Sequence, residues 1–270
     1  MRYEHMMTGT FLSRPNRFIA HVLIVREGHG EEAVVCHVKN TGRCRELLIP
    51  GVWVLVQFHP EAAALGRKTE YSLIGVWKKR ERGGPLLINM DSQAPNQVAF
   101  EWLQSNQEEA PLPFSPAGQE GSFMRPFIRP AIRDIKREVT YGQSRFDLAF
   151  QVVLPGSCEN PRKTIPAFLE VKGVTLEESG LAMFPDAPTV RGVKHIQELV
   201  NAHLEGYEAY ILFVIQMKGM EAFTPNKKTH PEFAEALKKA EEAGVHILAY
   251  DCVVTEETLS LDMPLPIYLT

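Results

Sequence analysis

Apolar positions along the first ninety residues come in short bursts. RFIAHVLIV (17–25), EEAVVCHVKN (31–40), GVWVLVQF (51–58), TEYSLIGVWKK (69–79) and GPLLINM (84–90) are rich in Val, Ile and aromatic residues. Gly, Asn, Pro and charged clusters separate them, which is the signature of short strands. Five such strands predict a small barrel. A five-stranded barrel is the OB arrangement, which often binds oligonucleotides or sugars. The pattern alone leaves other small barrels open.

From Pro95 the period changes. PNQVAFEWLQ places Val98, Ala99, Trp102 and Leu103 at helical spacing, with Asn96 as a candidate cap. A Pro- and Gly-rich loop or lid (104–126) follows. IKREVTYG, RFDLAFQVVL and TIPAFLEVKGV then read as three strands, and residues 176–192 as an irregular stretch. VKHIQELVNAHLEG is an amphipathic helix ending at Gly206. YEAYILFVIQM is an apolar strand. PEFAEALKKAEEAG is a helix from Pro231 to Gly244, and GVHILAYDCVV a strand. The tail through MPLPIYLT reads as irregular packing. Strands joined through helices imply parallel neighbours in an α/β layer, while the first three, joined by shorter loops, can be antiparallel.

Composition adds limits. The chain has 270 residues, 44% hydrophobic and 23% charged, an ordinary globular balance. No run of about 18 apolar residues marks a membrane span. The opening MRYEHMMTGTFLSRP has no continuous apolar segment like that of a signal peptide. Cys36, Cys44, Cys158 and Cys252 are scattered and form no CxxC pair, so reduced thiols and a cytoplasmic location are expected. Net charge is −4, but it is unevenly spread: residues 1–100 hold 13 Lys/Arg against 9 Asp/Glu, and residues 146–270 hold 10 against 18. That asymmetry argues for two functional halves. A GxSxG elbow, a Walker loop and GxGxxG are all missing, which removes serine-hydrolase and nucleotide-binding readings.

Three charges stand inside otherwise apolar strands. Asp147 interrupts FDLAF, and Glu170 and Lys172 interrupt AFLEVK. Strand alternation puts Phe146, Leu148 and Phe150 on one face and Asp147 on the other, and places Phe168, Glu170 and Lys172 together. If the two strands are neighbours, two carboxylates and an ammonium converge. Neighbouring carboxylates repel unless a cation lies between them. Mg²⁺ or Mn²⁺ suits that role, since hard cations accept one or two carboxylates and keep several waters. The Val171 carbonyl points to the same edge. Lys172 would then help deprotonate a water or stabilise charge on a phosphate. The competing reading is a Glu–Lys pair on a solvated face, with Asp147 in a strand-end salt bridge.

The arrangement Asp147 … Glu170-Val171-Lys172, with its order of helix, three strands, helix and strand, resembles the PD-(D/E)xK nuclease superfamily. NTGRCRELLIPG (40–51), RKTEYSLIGV (67–76), PNQVAFEWL (95–103), SRFDLAF (144–150), FLEVKGVTL (168–176), MFPDAPTVRGVKHIQEL (183–199) and FVIQMKGMEAFTPN (213–226) together resemble the sugar fermentation stimulation protein A family. The resemblance spans nearly the whole chain. It implies an α+β / α/β two-domain protein. An N-terminal five-stranded OB-like β-barrel fills about residues 1–93, and a nuclease-like mixed sheet flanked by helices fills 94–270. It also implies DNA binding and a link to sugar-utilisation gene regulation.

Further candidates follow. Nuclease-like sites often use another acid from the first helix, for which Glu101 is the candidate and Glu138 the competitor. An exposed helical Glu is an equal alternative for Glu101. Arg191 and Lys194 lie at the start of a helix, where backbone N–H groups attract anions, and are candidate phosphate contacts. His195 reads as a packing histidine, and Asp186 as a loop brace. Arg14, Arg17, Arg43, Arg45, Arg67 and Lys68, with Tyr71 nearby, could track a nucleic-acid backbone. RPFIRPAIRDIKRE (125–138), with five Lys/Arg against two acids, could form a basic rim. Two functions compete: a DNA-binding protein with a nuclease-like metal site, and an active Mg²⁺- or Mn²⁺-dependent nuclease. A sugar- or anion-binding OB module is a third.

Overall fold

The computed structural model describes residues 1–26, 28, 30–40, 42, 44–80, 84–113, 130–154 and 163–269. The N-terminal part is a ring of strands: β1 (Met6–Asn16), β2 (Ile19–Arg26), β3 (Gly30–Val38), β4 (Trp53–Phe58) and β5 (Tyr71–Lys78). They pair antiparallel in the order β3-β2-β1-β4-β5, and a parallel pairing of β3 with β5 closes the ring. Alternation fills the interior. Ala20, Val22 and Ile24 of β2 have no exposed surface, while His21 and Leu23 between them are partly exposed.

The ring has the expected five strands but not the expected set. The hub is β1, which pairs with both β2 and β4, and its apolar pattern is too thin to read as a strand. Gly9 sits at its centre because a Cβ there would lie 2.5 Å from Val22 Cγ1 and 2.8 Å from the Leu23 carbonyl. GPLLINM instead forms β6 (Leu86–Asn89), which among the described residues pairs only with β5 and leads out of the ring.

The second part begins with α1 (Ala94–Ser105) and continues through β7 (Ala131–Tyr141), β8 (Ser144–Leu154) and β9 (Lys163–Val174). Then come β10 (Leu176–Glu178), β11 (Leu181–Phe184), α2 (Val190–Leu204), β12 (Glu208–Ile215), β13 (Ala222–Pro225), α3 (Pro231–Glu242), β14 (His246–Val254) and β15 (Leu259–Pro264). The main sheet has the order β15-β14-β12-β9-β8-β7. Its centre, β9, β12 and β14, is parallel, and both flanks are antiparallel. Every residue of β12 is buried, as befits a central parallel strand covered on both faces.

Two stretches expected to be irregular are ordered. Residues 176–184 form β10 and β11, which join β13 in a small sheet. The tail contributes β15, and Ile267 bridges to Phe223. Helix α2 starts at Val190, earlier than its apolar period suggests, because the Thr189 hydroxyl accepts the Gly192 N–H at 3.0 Å. Asn96 does not cap α1; Gln93 occupies that position without a side-chain cap bond.

Buried apolar side chains of the ring and of the α2/α3 face of the sheet form one contiguous cluster. Those on the α1 face form a second. Polar ties reinforce the join. Lys78 of β5 pairs with Glu177 of β10 at 2.5 Å. Gln216, just after β12, donates to Asn89 Oδ1 and to the Asp91 carbonyl, each at 3.0 Å.

Candidate functional site

Strands β8 and β9 are antiparallel neighbours, and their last ladder pair toward the site is Leu148 with Leu169. Asp147 takes over there. Its Oδ2 accepts the Val171 N–H at 2.8 Å, and its Oδ1 accepts Asn96 Nδ2 at 2.6 Å. The strand also changes sides at this point. Phe146 belongs to the core under α2, whereas Leu148 and Phe150 belong to the core under α1. The regular alternation expected across Phe146–Phe150 therefore fails at Asp147.

Glu170 is 2% exposed. Its Oε1 accepts from Lys172 Nζ at 2.5 Å and from His195 Nδ1. Its Oε2 is buried with no partner. Gly173 follows because a Cβ there would lie 2.6 Å from Gln216 Oε1 and 2.7 Å from Pro95 Cγ. That close approach seats the start of α1, and with it Asn96, against the strand end.

His195 is held from its far side. Arg191 Nε, one turn earlier on α2, donates to His195 Nε2 at 3.2 Å. The imidazole therefore carries its proton on Nδ1 and gives it to Glu170. Arg191, Lys194 and His195 also line a cavity of about 420 Å³ against the β7–β8 turn, shared with Ser144 and Arg145. Ser144 is 6% exposed, and its hydroxyl has no partner. Lys194 donates to the Gln143 carbonyl at 3.3 Å. Among the described residues no carboxylate pairs with Arg191 or Lys194, so this cavity carries net positive charge beside Glu170.

The two carboxylates are driven apart in acidity. Burial pushes Asp147 up to about 6, and the Glu170 charge adds to the rise. The Val171 N–H, Lys172 and Asn96 pull back. Burial also pushes Glu170 upward, but the His195 hydrogen bond and the Lys172 charge outweigh it and hold Glu170 below its ordinary value. The ionised Glu170 thus makes ionisation of its neighbour costly, a cost that a cation would relieve.

Among the described residues no group of three or more His, Cys, Asp or Glu gathers as a metal cluster. The available donors are few and all oxygen: Glu170 Oε2, the remaining lone pairs of Asp147, and the Val171 carbonyl. A residue's N–H and C=O leave a strand on the same side, so that carbonyl faces Asp147. This set fits a hard cation that keeps much of its water. It does not suit zinc, because the His195 nitrogens are already engaged by Arg191 and Glu170.

The remaining sequence candidates are scattered. Glu101 pairs with the terminal amine of Met1 at 2.6 Å and accepts from Gln97 at 2.7 Å. Asn96, not Glu101, is the α1 residue that touches Asp147. Glu138 pairs with Arg145 at 2.8 Å. Asp186 packs against Gly42, at the junction with the ring. Arg14 donates to the carbonyls of Arg17 and Asn40 at 2.7 and 2.9 Å, a brace between loops. Arg17 lies 5.8 Å from the Phe18 ring, and Arg45 and Lys68 are exposed. Tyr71 faces the ring core beside Phe58 at 5.2 Å, so it offers no platform for a base. In the basic rim, Arg133 pairs with Glu108 at 2.8 Å and Arg137 donates to Gln97 at 2.9 Å. Arg43, Cys158 and residues 125–129 lie outside the described residues.

Asn96 and His195 are the members of the site that strand patterning did not reveal. Each sits on a helix that crosses the sheet, and only the i, i+4 spacing of Arg191 and His195 hinted at the pairing.

An OB ring followed by a mixed sheet with a carboxylate pair at its strand ends, Glu170 buried and Asp147 half-buried, defines a two-part protein class. The family model described as SfsA N-terminal OB domain matches residues 12–84. The model described as Sugar fermentation stimulation protein RE domain matches residues 93–258. The chain belongs to the sugar fermentation stimulation protein family. It is 50% identical over 259 residues to the sugar fermentation stimulation protein homolog of Desulfitobacterium hafniense (strain Y51), covering 96% of this chain and 94% of that protein. It is 44% identical over 269 residues to the homolog of Ruminiclostridium cellulolyticum, covering 100% of both. The solved structure of Pyrococcus furiosus SfsA in complex with Ca²⁺ matches with a TM-score of 0.72 and 28% identity, over 99% of this chain and 98% of that one.

Proposed function

We propose that this protein binds DNA and that Asp147 and Glu170 form a nuclease-like site for Mg²⁺ or Mn²⁺. The observation that carries this reading is Glu170 Oε2, a buried carboxylate oxygen without a donor, beside the half-buried Asp147 carboxylate. Leaving such an atom unpaired costs about 1–3 kcal/mol or more, and a cation removes that cost. Pyrococcus furiosus SfsA was solved with Ca²⁺, a hard cation with the same preference for oxygen. A divalent ion held there would supply Lewis-acid stabilisation of a phosphoryl oxygen. The protein's own groups do the rest. Lys172 keeps a positive charge beside the carboxylates, His195 fixes Glu170, and Arg191 and Lys194 attract the phosphate backbone. The relatives' shared name supports a link to sugar utilisation, with DNA binding as its physical step.

The intact set of Asp147, Glu170 and Lys172 favours a second reading, in which the site hydrolyses phosphodiester bonds. One experiment separates the two. Mn²⁺ binding is measured by calorimetry, and plasmid binding and nicking are measured for wild type and Glu170→Gln. Nicking that disappears with metal affinity in the variant establishes a nuclease. Metal and DNA binding without nicking leave a binding protein. Wild type that takes up neither Mn²⁺ nor DNA overturns both readings.

A further inference from the structure

The outer face of the ring's closing seam carries a second group of cations. His37 of β3 sits directly beside Ser72 of β5 in the parallel pairing. Ser72 is fully buried although it points away from the core, because Arg67 and His59 cover it. Arg67 NH2 donates to its hydroxyl at 2.9 Å, and His59 Nε2 lies 2.9 Å from the same oxygen. Arg67 Nε reaches the Thr69 carbonyl at 3.4 Å. All of these acceptors are neutral, and among the described residues no carboxylate pairs with Arg67. Lys39 lies on the same side, but its charge is matched by Asp91 at 2.8 Å. The seam thus has a guanidinium without a counter-charge, half withdrawn from water, next to two imidazoles.

We propose that Arg67, His37 and His59 form an anion seat on this seam, and that its ligand is a phosphate group of the nucleic-acid backbone. The proposal deepens the DNA reading above by naming a contact on the ring. His59 and Arg67 both lie in the β4–β5 loop, and in OB folds that loop borders the ligand face. The titration behaviour agrees. Burial holds both imidazoles below their ordinary value, and Arg67 and Lys39 lower them further. Asp91 partly opposes this at His37, and His5 adds to it at His59. A bound phosphate would reverse the balance, so binding would take up protons and strengthen as pH falls.

The test uses the full chain. The imidazole Cε1–H signals, assigned with His37→Gln and His59→Gln, are followed while sodium phosphate replaces chloride at constant ionic strength. A labelled 20-nucleotide oligothymidylate then reports nucleic-acid affinity at pH 6 and pH 8. Phosphate should move both imidazole signals and raise their titration midpoints. Arg67→Gln should abolish that response, weaken oligonucleotide binding several-fold and lower the slope of log affinity against log salt by about one. Arg67→Lys, which keeps the charge, should retain most of the binding and so excludes a folding loss. Imidazoles that ignore phosphate overturn the seat. A seat that responds to phosphate while Arg67→Gln binds the oligonucleotide like wild type overturns its nucleic-acid role. A phosphate response in wild type that binds no oligonucleotide at all supports the seat and removes the DNA reading.

Discussion

A carboxylate with almost no exposed surface needs donors, and Glu170 draws two of them to one oxygen. Lys172 comes from its own strand, and His195 from α2. Removing a donor from a buried charge costs about 1–3 kcal/mol. His195→Ala should therefore destabilise the metal-free protein by that order in urea unfolding. His195→Gln keeps an N–H within reach and should recover most of the loss. Equal stability of the two variants would mean that His195 only fills space. At this scale Asp147, Glu170 and Lys172 were legible, because charged residues inside apolar strands are rare and the D…E-x-K spacing is easily seen. Asn96 and His195 were not. Nothing local in APNQV or KHIQE says that their side chains meet Asp147 and Glu170.

Helix α2 delivers Arg191, Lys194 and His195 together, and its first turn depends on one hydroxyl. Thr189→Ala should cost about 1 kcal/mol and speed amide exchange at residues 191–193, with little change elsewhere. Unchanged exchange would show that packing against α3 suffices to hold the turn. Strand β9 has its own local requirement. Gly173→Ala places a methyl against Pro95 and Gln216 and should cost about 1–3 kcal/mol, read as a lower Tm. If the site works as proposed, Mn²⁺ affinity should fall with it, because the start of α1 carries Asn96. Most elements were readable from their period. The exceptions have two causes: β1 and β10 are too sparsely apolar to show alternation, and β11 and β15 are too short to show a period, so tertiary pairing completes them.

At the scale of the molecule, the ring and the sheet are tied by ion pairs as well as by apolar contact. Burial pushes Glu177 upward, but the Gly180 N–H and the Lys78 contact outweigh it and hold the group below its ordinary value of 4.5. A carboxyl with a depressed folded value binds fewer protons folded than unfolded. Its contribution to stability is complete above pH 4.5 and is lost as pH falls through the folded value. Thermal melts between pH 3 and pH 6 should thus steepen below pH 4.5 in wild type, and less so in Glu177→Gln. Parallel curves for the two proteins would remove Glu177 from the acid response.

By itself the sequence determined the kind of each half. Alternation specified a small ring of strands, and helix–strand order specified a parallel-centred sheet, since both follow from which residues must leave water. It also marked the two carboxylates and the lysine. Only the tertiary structure decided which strand closes the ring and where β8 parts from β9. It alone brought α1 and α2 over the strand end to supply Asn96 and His195. Those outcomes depend on contacts between residues far apart in the chain, such as Asn96 with Asp147 and His195 with Glu170. Period and local propensity carry no information about such pairs.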